Sequence, residues 1–150
     1  MEKRDMFSWY RDLYPDVENS MTYSKYCTAA FGKDFSQQGF SDSEDIAFML
    51  SQLRVKTDSH LLDIGCGSGK RDEFIHEQTG ASIVGLDYSP AAIEIAKARA
   101  QAQHNLVFSC ADMDTVDYPA GTFDIIFSID SIFFSEDLSQ LGCVDNRDMI

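Results

Sequence analysis

Two spacings of apolar residues divide this chain. Residues 45–53 (DIAFMLSQL) put Ile46, Met49, Leu50 and Leu53 on one side of a helix, the i, i+3, i+4, i+7 pattern. Ser43 or Ser41 is the expected N-cap. From residue 60 the pattern changes to short apolar runs separated by helical stretches. His60–Ile64 (HLLDI) reads as a buried strand that enters the loop Gly65-Cys66-Gly67-Ser68-Gly69. Residues 70–79 read as a helix closed by Gly80, and residues 81–86 (ASIVGL) as a second strand ending at Asp87. Ser89-Pro90 is a cap followed by proline in the first turn, and the helix AAIEIAKARAQAQ follows. Residues 106–110 and 123–129 (FDIIFSI) read as strands three and four.

Strands that recur about every 20 residues with helices between them imply parallel βαβ units with right-handed crossovers. The expected fold is therefore α/β: a doubly wound parallel sheet of order 3-2-1-4, lacking later strands. Residues 1–59 contain no strand-like run and form a helical cap segment. Residues 60–134 form the α/β core, and residues 135–150 a polar tail. The fourth strand is apolar on both faces and lies at the sheet edge, so the expectation is either that the chain is a fragment or that a partner covers that edge, self-association through it being one way.

Composition narrows the partners. The 150 residues carry a formal charge of −13, which disfavours a nucleic-acid backbone. No apolar run is long enough for a membrane span, and the N-terminus lacks the apolar core of a signal peptide. Cys27, Cys66, Cys110 and Cys143 form no C-x-x-C pair, so neither a metal site nor a disulfide framework is expected. Reduced thiols in the cytoplasm are the corresponding expectation.

On a parallel sheet the ligand crevice lies at the carboxyl ends of the strands. Asp63, Asp87, Asp112 and Asp130 all fall there, one per strand. Gly65 and Gly67 can take backbone angles closed to other residues and leave room beside the backbone. Asp87, 18 residues after Gly69, is spaced to accept hydrogen bonds from ribose hydroxyls. Dinucleotide sites use G-x-G-x-x-G, but here Lys70 stands where the last glycine belongs. Asp63 would repel a pyrophosphate, whereas it suits a ligand with a cationic amino-acid end.

The motifs LLDIGCGSG, GLDYSPAAIEIAKARA, CADMD and FDIIFSIDSIFF resemble, in order and spacing, those of class I S-adenosylmethionine-dependent methyltransferases with a Rossmann-like fold. The resemblance covers about half of the chain. It implies that Asp63, Gly65, Cys66 and Gly67 surround the methionine part of S-adenosyl-L-methionine. Asp87 would hold the ribose with Tyr88 beside the adenine. Asp112 would read the adenine amino group with Met113 lining the ring, and Asp130 would lie near the methionine amine and the acceptor. The segment YSKYCTAAFGKDFSQQGFSD resembles, more loosely, the cap of small-molecule methyltransferases, with Tyr23, Tyr26, Gln37 and Gln38 as lid candidates.

Phe133 and Phe134 are expected in the core, Trp9 and Tyr10 in the packing of the first helix. His76 and His104 have no evident partner. No Asn/Asp-Pro-Pro-Tyr motif follows strand four and no Pro-Cys pair is present, which favours a small-molecule methyl acceptor. No residue stands out as a general base. The alternatives are a truncated, catalytically inactive remnant or module that holds the cofactor without turnover, and an NAD-binding domain, the latter disfavoured by Lys70 and Asp63.

Overall fold

The computed structural model describes residues 3–36 and 39–136. Three helices lead: α1 (Lys3–Glu18), α2 (Met21–Phe31) and α3 (Ser43–Leu53). The α/β part follows as β1 (His60–Ile64), α4 (Lys70–Thr79), β2 (Ser82–Asp87), α5 (Pro90–Arg99), β3 (Leu106–Cys110) and β4 (Ile125–Phe127). Short 3-10 turns occupy Ala100–Ala102 and Ile132–Phe134.

Local chemistry accounts for the helix ends. Ser20 caps α2 through the Tyr23 amide, and Ser89 caps α5 through the Ala92 amide with Pro90 in the first turn. The cap of α3 is Asp42, and neither expected serine. Its carboxylate accepts the Glu44 and Asp45 amides, while Asp45 accepts the Asp42 amide in return. That reciprocal box is worth about 1 kcal/mol, and a charged acceptor at a helix N-terminus outcompetes a hydroxyl. Helix α5 ends at Arg99 and tightens into the 3-10 turn, short of the residue-103 end expected from composition.

All four strands are parallel in the order β3-β2-β1-β4, as the sequence implied. Alternation along β1 sends Leu61 and Asp63 to one face, Leu62 and Ile64 to the other. The first face carries the main core: Leu61, Ile83, Phe108 and Phe127 pack with Ile46 of α3, Ile75 of α4 and Ile93 of α5. Leu62, Ile64, Leu86 and Ile126 form the second core, covered by Met113, Val116, Tyr118 and Phe123 from the β3–β4 connection. Helix α1 lies on α5.

Strand β4 is shorter than expected, three residues instead of seven. Before it, Asp124 still bonds β1, its amide donating to the His60 carbonyl and its carboxylate accepting the His60 amide, each at 2.8 Å. After Phe127, Ser128 turns its hydroxyl onto the Ile64 carbonyl at 2.8 Å, and Asp130 takes a left-handed φ of 59°. Ile129 nevertheless stays buried in the main core, so the apolar pattern of 123–129 reports burial over a wider stretch than the strand itself.

Candidate functional site

A cavity of about 90 Å³ opens at the carboxyl ends of β1, β2 and β4, where a parallel sheet places its ligands. Its floor is the glycine loop. The loop is held from beneath by the Gly65 and Cys66 amides, which both donate to the Leu86 carbonyl at 2.7 and 2.8 Å. Gly65 and Gly67 have φ of 85° and 58°, conformations that a side chain would strain. Asp87 closes the floor from β2. One carboxylate oxygen accepts the Gly67 amide and the other the Ser89 amide, each at 2.8 Å. Burial still pushes its pKa above the usual carboxylate range, against the lowering by those two amides and Arg71.

The roof comes from α1, and the sequence did not point to it. Tyr10 and Tyr14 stack with ring centroids 6.2 Å apart, and Tyr10 meets Phe134 edge-on at 5.8 Å. Tyr14 is buried, and its hydroxyl lies 2.6 Å from where a Cβ on Gly67 would stand. Burial and the Asp87 charge push the Tyr14 hydroxyl well above its ordinary pKa, so it remains a neutral hydrogen-bonding group. Tyr10 and Tyr14 recur four residues apart on α1, a spacing that marks one helix face but not what it covers.

Ion pairs seat this roof. Glu18 accepts from Arg99 at 2.6 Å and pairs with Lys70 at 3.4 Å. Arg99 also reaches Glu73 at 2.8 Å, and Lys70 reaches Asp34 at 3.1 Å. Lys70, read as the residue that breaks the dinucleotide pattern, thus binds the cap segment.

The remaining candidates divide. Cys66, Tyr88, Met113 and Asp130 line the cavity together with Gly65, Gly67 and Asp87. Asp130 also binds the cap, accepting the Phe40 and Ser41 amides at 3.1 Å each, with Arg71 at 3.8 Å. Asp112 does not line the main cavity. It lines an adjoining recess that shares Gly65, Asp87, Tyr88, Met113 and Phe134 with it, and its carboxylate caps the turn at Asp114. Asp63 lies outside the cavity lining, buried on the helix-covered face behind the loop. Cys66 is a buried thiol raised well above its ordinary pKa by burial first, which suits a space-filling role.

Several expectations need correction. Phe133 is 71% exposed and is not core, while Phe134 lines the cavity. Tyr23 and Tyr26 do not line it, and Gln37 and Gln38 lie outside the described residues, as does Cys143. His76 has a partner, the Ala81 carbonyl at 2.7 Å from Nδ1, which staples α4 to the start of β2. Among the described residues no group of acidic, histidine or cysteine side chains is arranged to hold a metal ion.

The cavity can be set beside known proteins. The sequence profile of a methyltransferase domain matches residues 61–142, just over half of the chain. Phosphoethanolamine N-methyltransferase 1 of Zea mays is 34% identical over 112 residues, covering 74% of this chain and 22% of that protein. Phosphoethanolamine N-methyltransferase of Plasmodium falciparum is 30% identical over 102 residues, covering 68% of this chain and 38% of that protein. The chain therefore spans well under half the length of these relatives. A solved structure of Haemonchus contortus phosphoethanolamine N-methyltransferase 2, with phosphomonomethylethanolamine and S-adenosylhomocysteine, superposes with a TM-score of 0.67. That match has 21% identity and covers 88% of this chain and 31% of that one, a likeness of fold.

Proposed function

Because this chain belongs to the methyltransferase domain family, we propose that its cavity binds S-adenosylmethionine and serves methyl transfer to a small-molecule acceptor. The observation that carries the reading is the bond between the Gly67 amide and Asp87. It fixes the glycine floor and a half-buried carboxylate at the carboxyl ends of two adjacent parallel strands.

The residues present fit the cofactor. Gly65, Cys66 and Gly67 offer a floor with little side-chain bulk, and Asp87 and Asp130 offer negative charge to a cation. Tyr88, Met113 and the recess beside Asp112 offer a flat, partly apolar slot for an adenine. S-adenosylmethionine brings a methyl group already activated by its sulfonium charge. The protein's share is then to bind, orient and exclude water. Tyr10, Tyr14 and Phe134 wall the cavity with aromatic surface, which keeps water from the reacting atoms and holds an acceptor in line. The carboxylates of Asp87 and Asp130 favour a cationic ligand over a neutral product, which assists release. No side chain in the lining is assigned as general base.

The acidic balance of the chain supports a small acceptor over nucleic acid. Among the described residues Cys27, Cys66 and Cys110 form no disulfide, which supports a cytoplasmic setting. No helix among the described residues is long and apolar enough to cross a membrane. Titration calorimetry with S-adenosylmethionine, S-adenosylhomocysteine and NAD tests the cofactor, and tighter binding of NAD overturns the reading. Transfer of labelled methyl to candidate acceptors separates an enzyme from a module that holds cofactor without turnover.

A further inference from the structure

Two carboxyl groups converge behind the glycine loop. Asp63 on β1 lies opposite Gly85 on β2 in the strand register. A Cβ on Gly85 would stand 2.8 Å from Asp72 Oδ2, so the Asp72 carboxyl, from the first turn of α4, occupies the space that glycine leaves. Both side chains are fully buried, Asp63 at 1% and Asp72 at 0% exposure. With both ionised, neither has a hydrogen-bond partner among the described residues. A proton on one supplies the missing donor to the other.

The neighbouring cation does not neutralise them. Arg71 directs its guanidinium to the Ile129 carbonyl at 3.1 Å and towards Asp130. Two adjacent buried carboxylates without a bonded cation cost several kcal/mol if both are charged. The charged and titratable groups that act on the pair are Arg71 and Glu73 of α4, Asp87 of β2 and Cys66 of the loop. Burial pushes both groups up, Asp63 to about 6 and Asp72 well above the usual carboxylate range. Arg71 and Asp87 both line the cavity and both act on Asp63 through their charges. A charge placed between them acts on Asp63 as well.

We propose that Asp63 and Asp72 form a proton-sharing acid pair behind the glycine loop, and that a sulfonium cation bound in the cavity drives a proton from the pair to solvent. This rests on the cofactor reading above. The carboxyl O–H bond breaks, the proton passes to water or buffer, and the carboxylate left behind offsets the charge of the cofactor. S-adenosylhomocysteine, with a neutral sulfur, exerts no such pull. The pair therefore makes preference for the charged cofactor over its spent form rise with pH. The two ligands share their adenosine and α-carboxyl groups, whose titration cancels in the ratio of their affinities. The sulfonium makes the α-amine of the charged cofactor the more acidic, and Asp72→Asn, which leaves that amine in place, separates its share from that of the pair.

The test is calorimetric titration of the whole chain with each ligand from about pH 5.5 to 8, in buffers of different ionisation enthalpy. The affinity ratio of S-adenosylmethionine to S-adenosylhomocysteine is expected to rise with pH, by at most about tenfold per unit for one linked proton. Protons are released with the former ligand and fewer with the latter. Asp87 adds to the slope, and Asp72→Asn isolates the share of the pair by flattening it while binding persists. A flat ratio in the natural sequence overturns the proposal, as does an unchanged slope in Asp72→Asn. Failure of both ligands to bind overturns the cofactor reading itself. If Asp72→Asn does not fold, infrared difference spectra of the natural sequence decide. Loss of a protonated-carboxyl band with S-adenosylmethionine alone supports the pair, and its persistence overturns it.

Discussion

Asp87 holds Gly67: the aspartate Oδ2 accepts the glycine amide at 2.8 Å, across 20 residues of chain. The end of β2 and the floor of the cavity are thereby one unit. Asp87→Ala removes the acceptor for both the Gly67 and Ser89 amides and a carboxylate that lines the cavity. Cofactor affinity should fall by about 1.5–3 kcal/mol, the scale of charge-assisted hydrogen bonds. Calorimetry on the folded variant checks this, and unchanged affinity would reduce Asp87 to a loop brace.

How far the sequence exposed this arrangement depends on whether a signal was local. Asp87, Gly65 and Gly67 were legible because strand, loop and acid follow one another with fixed spacing, and a parallel sheet forces its ligand to that edge. Ser89-Pro90 and Gly80 marked helix ends for the same reason. Tyr10 and Tyr14 were not legible, since their role depends on where α1 docks, and ion pairs of Glu18 with residues 52 and 81 positions away decide that. The burial of Asp72 was hidden likewise. On α4 it reads as an acid suited to a helix N-terminus, and only the Gly85 gap opposite shows where it goes. Phe133 misled because apolar character alone does not say which side of a 3-10 turn faces the core.

Gly67→Val should abolish cofactor binding with limited loss of fold. The new side chain meets the Tyr14 hydroxyl and carries a φ of 58° that β-branched residues avoid. It displaces α1 from the cavity and fills the floor at once. Far-ultraviolet circular dichroism with a binding titration measures both effects. Binding at natural strength would show that the glycine loop is not the site.

The acid pair also sets the pH dependence of stability. Asp63 rises from 3.8 to about 6 on folding, so the folded chain holds a proton that the unfolded chain has lost over that interval. Stability is expected to fall as pH rises from about 4 to 6, by on the order of 3 kcal/mol for that shift alone. Asp72 shifts in the same direction and extends the decline to higher pH. Denaturant midpoints measured through this range should drop with rising pH, and Asp72→Asn should raise the midpoint at pH near 7. A midpoint that climbs steadily with pH would contradict the burial of two carboxyls in the core.

The last prediction concerns the free edge of the sheet. Among the described residues β4 pairs only with β1, leaving the other side of Ile125–Phe127 without a strand. Partly buried apolar side chains belong to the margins of the two cores, Ile125 to the main one and Tyr118 and Phe123 to the second. Unpaired strand backbone next to apolar side chains is a template for another strand. The 150-residue chain should therefore associate as its concentration rises, with two β4 strands side by side as the simplest arrangement. The observed strand has three residues, so its edge offers fewer backbone bonds than a seven-residue strand would, and the association should be weak. Sedimentation velocity over a hundredfold concentration range measures it. Ile125→Lys places a charge at that edge and should restore the monomer without unfolding, because Ile125 belongs to the margin of the core while Ile126 and Phe127 carry the packing. A chain that stays monomeric throughout that range would mean the β4 edge is already covered.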